Sequence, residues 1–124
     1  MSSKTGLIYL ASPYTDDNAS VMAERFEGIC KAAATIMKAG HHVFSPIAHS
    51  HPIAQYGLPK DYAYWKAYCE KTLPLCTEVW VIQLDGHEFS VGVAAEVRLA
   101  YALGIPVKRV APEGLDKFLK GHSI

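Results

Sequence analysis

The hydrophobic and polar positions of this chain fall into blocks with two different periods. "GLIYLA" (Gly6 to Ala11) and "EVWVIQL" (Glu78 to Leu84) are short apolar, partly β-branched runs, the kind buried on both faces of a parallel sheet. "HHVFSP" from His41 and "GIPVKRV" from Gly104 predict two further short strands. After the first strand, Met22, Phe26, Ile29, Cys30, Ala33, Ile36 and Met37 recur at helical spacing, and Glu24, Arg25, Glu27, Lys31 and Lys38 avoid that stripe. Asp17 or Asn18 can cap this helix and Gly40 can end it. "DYAYWKAYCEKTLPLC" reads as a helix up to the neighbourhood of Pro74, "SVGVAAEVRLAYALG" as another, and "PEGLDKFLKG" as a short last one. Between the second strand and the Tyr-rich helix, "IAHSHPIAQYGLPKD" is dense in Pro, Gly, Ser and His and predicts a long loop of the sort that carries function.

This alternation predicts a parallel sheet of four to five strands with helices on both faces, in a single domain over 1–124. In such sheets ligands sit beyond the carboxyl ends of the strands. "SPYT", "SPIAHSHP" and "DGHEFSVG" would form that edge.

Composition narrows the partners. Lys and Arg number 12, Asp and Glu 12, so the net charge is zero and offers no footprint for a nucleic-acid polymer or an anionic membrane. No apolar run approaches the ~18 residues of a membrane span. "MSSKTGLIYLASPYT" has too short an apolar stretch and too early a proline for a secretory signal. Cys30, Cys69 and Cys76 are an odd set without CxxC spacing and read as reduced cytosolic thiols, two or three of them packed on helices. The expectation is a cytoplasmic protein with a small-molecule partner.

Glu96 is the informative residue. It stands in the second turn of an otherwise small, apolar helix, on a face with Gly92, Leu99, Ala100 and Leu103, and Arg98 points well away from it. A carboxylate there costs several kcal/mol unless something repays it. The plain reading is a buried structural Glu; the functional one is a dry, oriented carboxylate kept for chemistry. The start of the same helix, with Ser90 and Gly92 in its first turn, offers free N–H groups, a hydroxyl and the positive dipole end, which together suit an anion such as phosphate. Tyr9, Ser12 and Tyr14 lie in or just after the first strand, Ser45, His49, Ser50 and His51 after the second, and Asp85, His87 and Glu88 after the third. A carboxylate about one and a half turns beyond an anion site suits glycosidic cleavage of a phosphorylated sugar, which needs a carboxylate at the anomeric carbon and a proton for the leaving group.

"IYLASPYT" (Ile8 to Thr15) and the pattern of Ser90, Gly92, Val93 and Glu96 followed by "AYALGIPV" resemble the nucleoside 2-deoxyribosyltransferase superfamily, which includes the 2'-deoxynucleoside 5'-phosphate N-hydrolases. The resemblance spans nearly the whole chain, and "SPIAHSHP…GLP" with "EVWV…DG…S.GV..E" looks like a small bacterial and phage branch. It implies an α/β, flavodoxin/Rossmann-like three-layer sandwich. It also implies an N-glycosidase acting on a (deoxy)nucleoside 5'-monophosphate without metal or organic cofactor.

Residue by residue, Glu96 would attack the anomeric carbon and Tyr9 would hold it. Ser90 would replace the aspartate typical of the free-nucleoside transferases, which favours a phosphate dianion over its repulsion. Glu70, counted back from "EVWV", would stand for the family's second acid and is one methylene longer; Asp61 and Asp85 are alternatives. Ser12 and Gly92 would help bind phosphate, with Asp85 at the substrate. The "HSHP" segment has no counterpart in the family, and His49 and His51 read by their own chemistry as a wall of the nucleotide pocket or as proton carriers. "SPYT" stands where better-known hydrolases have a glycine-rich loop.

Rival readings are a transferase on free nucleosides, a non-catalytic nucleotide-binding module with a structural Glu96, and a metal-dependent hydrolase. The last would draw on His41, His42, His49 and His51, with Asp61 or Asp85. Tyr62, Tyr64, Trp65 and Tyr68 read mainly as packing, with one ring available to stack on a base. The Glu96 helix is apolar on nearly every side, with Ala94, Val97 and Tyr101 opposite the Glu96 face, which predicts a homodimer or higher homo-oligomer.

Overall fold

The computed structural model describes residues 6–121, so residues 1–5 and 122–124 of the expected domain lie outside it. Four parallel strands, β1 (Leu7–Ala11), β2 (His42–Phe44), β3 (Glu78–Ile82) and β4 (Val107–Val110), stand in the order β2-β1-β3-β4. Five helices connect or follow them: α1 (Ala19–Lys38), α2 (Pro46–Ala54), α3 (Tyr62–Thr72), α4 (Val91–Ala102) and α5 (Leu115–Lys120). Among the described residues no helix is long and apolar enough to cross a membrane. The expected α/β three-layer sandwich is the observed one.

The two-residue period of the strands builds two separate cores. Ile8, Leu10, Trp80 and Ile82 face one side, where α1 and α5 supply Ile29, Ala32, Ile36, Leu115 and Leu119. Tyr9, Ala11, Val79 and Val81 face the other, against Leu73 and Cys76 after α3 and Val93, Val97 and Ala100 of α4. Because β1 pairs with β2 on one side and β3 on the other, the sheet's switch point opens a crevice beyond the carboxyl ends of β1 and β3.

The helix boundaries follow local chemistry. Asn18 caps α1, its side chain accepting from the Ser20 N–H at 2.8 Å. At the other end Gly40 takes a left-handed φ of 100°, and the bonds Gly40 N–H to Met37 O (2.9 Å) and His41 N–H to Ile36 O (3.4 Å) close the helix. Within the expected stripe Met37 is exposed, and Ala32 takes a buried place.

One expectation is corrected. The segment read as a long loop begins with a helix, α2. Its start is a recognisable signal: the Ser45 hydroxyl accepts from the Ala48 N–H at 3.0 Å, and Pro46 occupies the first turn, where its missing N–H costs nothing. Three polar residues and Pro52 obscured it, and Pro52, inside the helix, precedes its end by two residues. The correction matters for the histidines. Two positions apart on a helix point to nearly opposite sides, so His49 and His51 diverge instead of converging as an extended HxH would.

Candidate functional site

The crevice at the switch point is a cavity of about 400 Å³ between the loop after β1, helix α2, the start of α3 and the start of α4. Glu96 lies in it and is only 5% exposed. It belongs to the stripe Val93, Glu96, Val97 and Ala100 that α4 turns inward. Val97, expected on the face opposite Glu96, is therefore in the core beside it: neighbours in sequence share a wide inward face on a fully packed helix.

Two donors meet the Glu96 carboxylate. The Tyr9 hydroxyl, fully buried in β1, donates to its Oε2. The Cys69 thiol, 4% exposed on α3, stands beside both groups with one proton to give. Burial pushes Glu96 up to about 7, against the opposing pull of these two donors. The same burial, with the Glu96 charge beside them, drives the Tyr9 hydroxyl far up and the Cys69 thiol up to about 12. Both therefore stay protonated donors, and Glu96 is the group whose charge changes near neutrality.

At the mouth, α4 begins with Ser90, whose side chain accepts from the Val93 N–H at 3.1 Å as an N-cap. The N–H groups of Val91 and Gly92 precede the first intrahelical bond, Ala94 N–H to Ser90 O. Gly92 has a steric reason as well: a Cβ there would stand 3.0 Å from the Tyr62 ring, so glycine lets α3 and α4 close up above Glu96. Ser12, one residue past β1, lines the cavity while being 5% exposed, and its hydroxyl has no protein partner among the described residues. An unpaired buried hydroxyl costs about 1–3 kcal/mol, which a ligand can recover.

The mouth loops are tied together. Arg25 of α1 donates to the carbonyls of Thr15 (3.0 Å) and Tyr14 (3.4 Å) in the loop after β1. Its guanidinium also packs on Gly86 in the loop after β3, where φ is 92° and a Cβ would meet Nη2 at 2.3 Å. On the α2 side, His51 reaches the cavity, its Nδ1 2.5 Å from the Tyr14 hydroxyl and its ring stacked on Phe26 at 4.3 Å.

Of the residues expected at the site, Glu96, Tyr9, Ser12, Ser90, Gly92 and His51 come together here. Three do not. Glu70 is exposed on α3 and outside the cavity, because the helix turns Tyr62, Trp65 and Cys69 inward at i, i+3 and i+7 and carries the next residue away. Asp85 is exposed in the turn after β3 and lines nothing. His49 is also exposed, stacked on Tyr68 at 5.4 Å. Asp61, the alternative to Glu70, does line the mouth, with Lys60 beside it. Cys69 was missed; the helical spacing of Tyr62, Trp65 and Cys69 was the signal that could have found it. No curated protein matches the sequence. A family model matches residues 6–111, which span every strand and four of the five helices, and on that match the chain belongs to the family described as Domain of unknown function (DUF1937).

Proposed function

We propose that the protein is an N-glycosidase that cleaves the base–sugar bond of a (deoxy)nucleoside 5'-monophosphate. One observation carries the reading: a carboxylate at the floor of a small cavity, held by two neutral donors and poised to ionise near neutral pH. In this reading Glu96 attacks the anomeric carbon as the C–N bond breaks, and Tyr9 and Cys69 fix its direction. The phosphate lies at the Val91 and Gly92 N–H groups with the Ser12 hydroxyl, whose unpaired burial favours an acceptor-rich ligand. Tyr62, Trp65 and Phe89 offer rings for the base. Water then releases the sugar phosphate from Glu96.

The outer face of α4 supports a homodimer at least, since Val91 (72% exposed), Ala94, Arg98 and Tyr101 form one uncovered stripe.

Chromatography of the protein incubated with ribo- and deoxyribonucleoside monophosphates and free nucleosides, beside folded Glu96→Gln protein, tests the activity. The expected result is free base from a monophosphate, abolished in the variant. Base release from nucleosides only when a second base is present would make the enzyme a transferase. Ligand binding without release from any of them would leave a nucleotide-binding module.

A further inference from the structure

Breaking a glycosidic C–N bond leaves an electron pair on the base nitrogen that a proton must meet. Glu70 cannot deliver it, being exposed and outside the cavity. The inference here rests on the glycosidase reading and supplies what it lacks. We infer that His51, held by the Tyr14 hydroxyl, is the proton carrier of this site.

The geometry favours His51 over its neighbours. The Tyr14 hydroxyl engages Nδ1, Phe26 stacks on one face of the ring, and the edge of Tyr14 closes another side. The imidazole is thus fixed by three contacts on the wall of the cavity, with Nε2 left over. Tyr14 itself comes from the loop that Arg25 holds in place through the Tyr14 and Thr15 carbonyls. Burial, and after it the charge of Lys60 from the segment before α3, lowers the affinity of His51 for its proton. An imidazolium in that setting is a ready donor. A bound phosphate dianion offsets the Lys60 charge, so the loaded site takes up the proton that the first step spends.

The cycle balances. A Glu96 oxygen forms a bond to the anomeric carbon while the C–N pair leaves with the base, and the His51 imidazolium gives that base its proton. Water then attacks the same carbon and displaces Glu96 as a carboxylate. The proton lost by the water returns to His51, which restores the starting form.

The test compares two leaving groups on wild-type protein, His51→Gln, Tyr14→Phe and Asp61→Asn. One substrate is the nucleoside monophosphate found to be cleaved; the other is the same sugar phosphate carrying a nitrophenyl group, which departs without a proton. His51→Gln is expected to lose roughly 100-fold or more in kcat on the nucleotide, within the range of general acid catalysis, and to stay within about tenfold on the nitrophenyl substrate. Its pH profile changes from a bell to a single rising limb set by Glu96. Tyr14→Phe keeps the ring and loses the hydroxyl, so it shows the same selectivity at smaller size.

Absence of base release by the wild-type protein overturns the glycosidase reading and this inference with it. Release that survives His51→Gln but falls in Asp61→Asn overturns this inference alone and moves the proton to Asp61. Equal losses on both substrates also overturn it, since His51 would then only shape the pocket.

Discussion

The two faces of the sheet receive the same strands and put them to different uses. On one, Ile8, Leu10, Trp80 and Ile82 meet α1 and α5 through carbon, and the buried polar ring of His41 packs edge-on to Trp80 at 5.4 Å. On the other, the alternate positions of the same strands bring Tyr9 against Cys69 and Glu96. The contrast teaches where a small domain can afford chemistry. The buried carboxylate sits where α3 and α4 meet above the switch point, and the opposite layer stabilises the sheet that holds it.

The largest expected effect is on the apolar face. Trp80 is fully buried, packed edge-on to Phe118 at 4.9 Å, and Trp80→Ala should cost about 3–5 kcal/mol in denaturant unfolding. A loss below about 1 kcal/mol would mean that this layer is not the stabilising one.

Next comes the chemical face, with the opposite sign. Glu96 holds its proton in the folded state up to about 7 but in the unfolded chain only to its ordinary 4.5. Between those values the unfolded state sheds the proton first, so stability falls as pH rises and the full penalty remains above about 7. Glu96→Gln should remove that slope and raise stability at pH ~8 by roughly 3 kcal/mol, read from unfolding curves at several pH values. An unchanged slope would show that Glu96 is not the group responsible.

The smallest effect separates the two donors. Cys69→Ala removes a donor from beside the Glu96 carboxylate and should move its titration midpoint to higher pH, by up to about one pH unit in a carbon NMR titration of the side chain, with Cys69→Ser restoring it. If alanine and serine behaved alike, the thiol would be packing only.

Much of this was legible in the residues. Among the described residues the two periods marked all four strands and four of the five helices, and the isolation of Glu96 on an apolar helix singled it out from the sequence alone. Helix α2 was hidden because its start signal, Ser45 and Pro46, is local while its composition resembles a loop. Glu70 was expected at the site because counting back from "EVWV" places residues by chain position, whereas a helix places them by angle, and one position is about 100°.

By itself, then, the sequence determined what short-range physics governs: the periods that make strands and helices, the caps at Asn18, Ser45 and Ser90, and the turn at Gly40. It also placed a carboxylate on an apolar stripe. Only the tertiary structure decided which groups that carboxylate meets. Tyr9 and Glu96 lie 87 positions apart, and Tyr14 and His51 lie 37 apart. Their contacts depend on strand order, register and helix rotation, which no local pattern encodes, because each is settled by how the whole chain buries its apolar surface.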